Sequence, residues 1–162
     1  MNEKIQRQIF NILEKKGIKN FIGVPDSTMK HFIDEGLNCN KVLIANREEE
    51  AIGIGTGMIL AGSPTIMFMQ NAGFANSIST ITSLVQLYQI PIIFLIGWRG
   101  YLKEDAPEHV KIGKIQPKLL KNLDLENRVL KDNTWKKDCK WALSKMKKKI
   151  PVALVIRREF LD

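Results

Sequence analysis

The sequence predicts an α/β protein in three layers, a mainly parallel sheet with helices on both faces. Short apolar runs alternate with helical patterns along all 162 residues. Strands and helices in strict alternation build parallel sheets covered by crossover helices. The run at 90–97, IPIIFLIG, is continuous and rich in β-branched residues, as expected of a strand buried on both faces.

Taken in order, residues 2–16 carry Ile5, Ile9, Ile12 and Leu13 at helical spacing, and Gly17 follows as a stop. NFIGV is a short strand closed by Pro25, after which Asp26, Ser27 and Thr28 can cap a helix carrying Met29, Phe32 and Ile33. KVLIA is a second strand, 47–61 a helix, SPTIMFMQ a third strand and 71–87 a glycine-opened helix. After the strand at 90–97, residues 98–113 read as a loop punctuated by Gly100, Pro107 and Gly113. A short helix at 117–122, a weak strand at 128–130, a lysine-rich helix and the strand PVALVIR complete the pattern.

Bulk properties narrow the function. A hydrophobic fraction of 44% and a charged fraction of 26% belong to a globular protein. Cys39 and Cys139 lie in no CxxC arrangement, which argues against zinc and disulfide frameworks. Free thiols and no recognisable leader suit the cytoplasm. No apolar run is long enough for a bilayer. The formal charge of +8 is concentrated in KKDCKWALSKMKKK, where Trp135, Cys139, Ala142, Leu143 and Met146 share one side. A solvated outer helix explains this pattern, and no nucleic-acid module accompanies it.

Parallel α/β sheets bind ligands beyond the C-terminal ends of their strands. That rule selects VPDS, NREEE, MQNAGFANS, GWRG and APEHVK. Gly53, Gly55 and Gly57 lack dinucleotide-fingerprint spacing and sit inside a helix that is apolar all round, so they read as close-packing positions in a buried element. The helix dipole accounts for carboxylates in a first turn, yet at least one of Glu48, Glu49 and Glu50 must enter a desolvated setting that favours a shared proton. Helical spacing does not select among them. Arg99 is a bidentate anion donor or the partner of Glu104 or Asp105. His31 belongs on an amphipathic surface, whereas His109 falls at the ligand edge and suits acid–base work.

FIGVPDS, NREEEAIGIGTGMILAG, MQNAGFANSISTITSL, IPIIFLIGWRG and APEHVKIG occur in the order that resembles thiamine-diphosphate-dependent 2-oxoacid decarboxylases. Phosphonopyruvate and sulfopyruvate decarboxylases are the nearest in pattern. The resemblance implies that residues 1–162 form a pyrimidine-binding domain. It implies that Glu48, nine residues before Gly57, hydrogen-bonds the cofactor's aminopyrimidine and promotes its deprotonation. It places Asn71 and Gly73 against the pyrimidine, Asp26 and Ser27 beside the substrate, and His109 in proton handling. Arg99 would clamp the substrate anion.

Such enzymes also hold Mg²⁺ and the diphosphate through a Gly-Asp-Gly…Asn motif, and this sequence contains no Gly-Asp dipeptide. The resemblance therefore implies a separate beta subunit carrying that domain, a hetero-oligomer, and no metal ligand in this chain. The expected reaction converts a 3-phosphono- or 3-sulfopyruvate to the aldehyde and CO₂. Two alternatives remain open in the sequence: a thiamine-dependent carboligase or ketol-transfer subunit, and a non-enzymatic basic binding module.

Overall fold

A computed structural model describes residues 1–102 and 104–157. Every expected strand forms: β1 (Asn20–Gly23), β2 (Val42–Ile44), β3 (Thr65–Gln70), β4 (Ile93–Trp98), β5 (Asn127–Val129) and β6 (Val152–Arg157). They make one sheet in the order β2-β1-β3-β4-β6-β5, parallel throughout. The helices are α1 (Glu3–Lys15), α2 (Lys30–Asn38), α3 (Glu48–Leu60), α4 (Asn71–Asn76), α5 (Ile78–Thr80), α6 (Pro107–Asn122) and α7 (Trp135–Lys147).

Side-chain alternation along the strands divides the core in two. Phe21, Ile66, Phe68, Ile93, Leu95, Val152 and Leu154 face a layer containing Phe10 of α1, Phe32 of α2 and Cys139 of α7. Ile22, Met67, Met69, Phe94, Ile96, Ala153 and Val155 face a layer containing Ile52 of α3, Phe74 of α4 and Leu120 of α6. Both layers are needed because a parallel sheet is apolar on both faces. The chain turns outward to β2 after β1, then returns to lay β3 on β1's other side. The crevice at this reversal, beyond the strands' C-terminal ends, positions the candidate site.

Three expectations are corrected. Residues 98–113 are not all loop, because α6 begins at Pro107, ten residues before the expected helix, and continues through Pro117. Proline is favoured in a first turn, whereas inside a helix it strands the carbonyl four residues back. Here that carbonyl, on Gly113, accepts a hydrogen bond from the Trp98 indole Nε1 at 2.9 Å. A distant side chain thus compensates for the breaker.

The helix expected over 71–87 is interrupted. α4 gives way near Ser77, and Ile81–Gln86 form a π-helical segment. Ser77, Thr82 and Ser83 donate hydroxyl hydrogen bonds to the carbonyls of Gly73, Ile78 and Ser79, the back-bonding that bends helices. Finally, α3 is buried on one face only. Ala51, Ile52, Gly55 and Thr56 are covered, whereas Ile54 and Leu60 are exposed. A Cβ at Gly55 would collide with Met67, but one at Gly53 or Gly57 would meet open space. Close packing therefore explains Gly55 alone.

Candidate functional site

The polar ends of β1, β3 and β4 meet the N-termini of α3, α4 and α6. Arg99 is the hub. Its Nε and Nη2 donate to Asp105 Oδ2 and Oδ1 at 3.0 and 2.7 Å, a bidentate pair with little solvent contact. Asp105 also accepts from the backbone N–H groups of Gly100 and Ala106 at 2.7 and 2.9 Å. The Arg99 guanidinium and these backbone donors hold the Asp105 carboxyl far below the usual range, prevailing over burial, which pushes it up. The ion-pair alternative for Arg99 is thus formed, with Asp105 rather than Glu104. The remaining arm, Nη1, donates to Ser27 Oγ at 3.2 Å.

Asn71 joins β3 to the segment after β4. Its Nδ2 donates to the Arg99 carbonyl at 2.9 Å, and its Oδ1 accepts from the Arg99 N–H at 3.3 Å. Next to it, Gln70 Nε2 lies 3.4 Å from His109 Nδ1. α6 can bring His109 this close because glycine lies at both points of contact. Gly100 adopts φ +71°, and a Cβ there would strike the His109 backbone. A Cβ at Gly113 would strike Gly100 and the Arg99 carbonyl.

Asp26 is buried over Gly97, where any larger residue would collide with its Oδ2. Its Oδ1 accepts from the Thr28 N–H at 3.3 Å, and its Oδ2 is buried without a partner. Burial pushes the Asp26 carboxyl up, opposed by the Thr28 hydrogen bonds and by the charges of Arg99 and His109. Of the three glutamates, Glu50 is exposed and accepts from the Asn46 N–H at 2.8 Å, whereas Glu48 and Glu49 are half-buried. The Glu48 carboxylate lies directly against Gly73 of α4, filling the space a Cβ would need.

Contacts therefore link the expected residues along one sheet edge: Glu48 to Gly73, Asn71 to Arg99, Arg99 to Ser27, and His109 to Gln70 beside Asn71. His31 is elsewhere, 3.9 Å from Glu3 of α1. Sequence reasoning missed Gln70, although a polar residue ending an apolar strand was the signal, and missed Trp98, whose role depends on Pro117.

Residues 3–123 match the family described as thiamine pyrophosphate enzyme, N-terminal TPP binding domain. The chain belongs to this family. Within it, the sulfopyruvate decarboxylase subunit alpha of Methanocaldococcus jannaschii is 41% identical over 115 residues, 69% of this chain and 68% of that one. The phosphonopyruvate decarboxylase of Streptomyces viridochromogenes is 31% identical over 121 residues, 73% of this chain but 30% of its own length. Among solved structures, a 2-oxoglutarate:ferredoxin oxidoreductase from Magnetococcus marinus superposes with a TM-score of 0.68 at 14% identity, covering 97% of this chain and 29% of that one. Benzoylformate decarboxylase from Polynucleobacter necessarius gives 0.60 at 15% identity, covering 93% and 32%. These structural likenesses show the shared thiamine-enzyme fold, of which this chain spans about a third of each whole polypeptide. No helix among the described residues is long and apolar enough to cross a membrane.

Proposed function

We propose that this chain is the pyrimidine-binding alpha subunit of a two-chain, cytoplasmic thiamine-diphosphate decarboxylase. It converts 3-sulfopyruvate, with 3-phosphonopyruvate as a competing substrate, to the corresponding acetaldehyde and CO₂. The relatives' names and the identity to an alpha subunit over comparable length support that reading. One structural observation carries it. The Glu48 carboxylate is held against Gly73 with no hydrogen-bond or ion-pair partner among the described residues, which leaves its oxygens free to accept from a ring N–H.

These residues fit the pyrimidine half of thiamine diphosphate, which when bound supplies the electron sink for decarboxylation. Glu48 orients that ring and holds a proton at its carboxylate. Gly73, by lacking a side chain, leaves the room in which the Glu48 carboxylate lies against α4 to meet the ring. The reaction consumes one proton, and Asp26 is suited to provide it, since burial favours its protonated form and Oδ2 has no other partner. His109, steadied by Gln70, resupplies it. Arg99 Nη1 and Ser27 Oγ receive the substrate's anionic end, with Asp105 and Asn71 as positioning residues behind Arg99. Mg²⁺ and the diphosphate belong to the beta subunit.

The test is reconstitution. The alpha chain alone shows no thiamine-dependent decarboxylation of sulfopyruvate, and adding the beta subunit restores it. Turnover by the alpha chain alone would overturn the split-site reading, and pyruvate as the preferred substrate would overturn the anion assignment.

A further inference from the structure

α1 packs on the sheet face away from α3, α4 and α6, and it supplies none of the site contacts described above. Its buried residues are Gln6, Ile9, Phe10 and Leu13. Three are core hydrophobics, and an amide beside them is costly unless its polar atoms are bonded. Gln6 is only 5% exposed, and both ends of its amide are engaged. Nε2 donates to the Met1 and Thr28 carbonyls at 3.0 and 3.1 Å. Oε1 accepts from the His31 and Phe32 N–H groups at 3.1 and 3.3 Å. All four partners are backbone atoms, so the amide fixes the path of the chain.

Three of the four flank one turn, residues 24–29, which leads from β1 to α2. Met29, the N-cap of α2, makes no side-chain capping bond. Gln6 Oε1 takes over that task from another helix, meeting the second and third N–H groups of α2, the donors that a cap ordinarily satisfies. On the near side, Nε2 holds the Thr28 carbonyl. The Thr28 N–H donates to Asp26 Oδ1 at 3.3 Å, and the intervening Ser27 Oγ accepts from Arg99 Nη1 at 3.2 Å. A displacement of Thr28 therefore reaches both Asp26 and Ser27. A buried amide with all its bonds made rigidifies one arrangement of the groups around it.

We propose that Gln6 is a positioning residue for the substrate's anionic end. Through Thr28 it sets Ser27 Oγ against Arg99 and the Asp26 carboxyl over Gly97. What the turn receives rests on the function proposed above, whereas the clamp itself rests on the four hydrogen bonds.

Two variants separate its parts. Gln6→Met keeps the length and apolar packing of the side chain and removes all four bonds. Gln6→Glu keeps an acceptor for α2 and, when ionised, has no donor for Thr28. Amide exchange of the full chain is the first measurement. In Gln6→Met the Thr28, His31 and Phe32 amides exchange about fivefold faster, the factor for a lost side-chain cap, while the β3 and β4 amides keep their protection. The second measurement is kcat/KM in the reconstituted enzyme for sulfopyruvate and for pyruvate, which lacks the distal anion. Both variants lower the preference for sulfopyruvate by roughly tenfold, as one misplaced charge-assisted hydrogen bond predicts. A poorly folded enzyme would lose both activities in equal ratio. Ser27→Ala loses the same preference, and Gln6→Met adds no further loss in that background. Unchanged exchange at the turn would overturn the proposal, as would equal loss of both activities. Failure of both variants to fold would also overturn it, by making Gln6 a residue of the framework. A wild-type enzyme without preference for sulfopyruvate would instead refute the anion assignment, and the exchange result would then decide whether Gln6 sets the turn.

Discussion

Around Arg99 each guanidinium nitrogen has a partner within the chain, whereas the Glu48 carboxylate has none among the described residues. Both groups lie at the same edge of the sheet. Arg99 is cross-braced by Asp105, Ser27 and Asn71, drawn from segments after three different strands. Glu48 stands at the start of a helix whose far side exposes Ile54 and Leu60. One half of the site is preassembled by this polypeptide. The other is a single acid placed on a glycine, with no polar partner among the described residues. On the function proposed above, a catalytic group completed only on assembly would keep cofactor activation from running in an isolated subunit.

The sharpest way to break this contrast is Glu48→Gln. In the reconstituted enzyme, turnover falls by roughly 10²–10⁴-fold, the range for loss of a proton-transfer group. The thermal midpoint of the isolated chain hardly changes, because the side chain makes no hydrogen bond to lose. Activity within a few-fold of wild type would remove Glu48 from the cofactor.

The closed half answers differently, in stability first. Asp105→Ala strands a guanidinium that has little solvent, and breaking such a pair costs about 3 kcal/mol in urea unfolding. Because its folded-state pKa is depressed, Asp105 contributes stability above the ordinary carboxylate range, and that contribution is lost as pH falls below about 4. Wild-type and variant curves therefore converge in acid. A gap that persists there would show that packing, rather than charge, holds the segment.

The same division governs what could be read from the sequence. Strand existence, order along the chain and the polar strand ends followed from apolar periodicity, which local sequence carries directly. Asp26 and Ser27 after β1 and Asn71 after β3 were visible for that reason. The extent of α6 was not visible. Pro117 and Gly113 are breakers by local rules, and their tolerance depends on Trp98 and on the backbone at Arg99–Gly100, contacts closed only in three dimensions. The open face of α3 was misread because an all-apolar helix signals burial without saying which chain does the burying.

Asp26 sharpens the comparison at smaller scale, as a strained member of the otherwise satisfied half. Burial raises its pKa, so the folded chain holds the Asp26 proton more tightly than the unfolded chain does. Its contribution to stability is full below about pH 4 and is lost as pH rises through the folded value. Asp26→Asn should therefore raise the unfolding free energy measured in urea at pH 7, by about 1 kcal/mol, while lowering turnover in the reconstituted enzyme. The stability gain should vanish near pH 4. A variant destabilised at neutral pH would place the ionised carboxylate in the structural framework rather than in proton transfer.

The smallest effect concerns the brace that holds His109 in place. Trp98→Phe leaves the Gly113 carbonyl without its indole donor, a loss of about 1 kcal/mol. Pro117→Ala restores a backbone N–H able to bond that same carbonyl from within α6. In the Pro117→Ala background the Trp98→Phe loss should therefore shrink, by about 0.5–1 kcal/mol in a double-mutant cycle. Since Phe keeps much of the stacking against Tyr101 and Arg157, the coupling isolates the hydrogen bond. Strictly additive losses would mean that the helix passes through Pro117 by packing alone, and that Trp98 serves only as a platform for its aromatic and cationic neighbours.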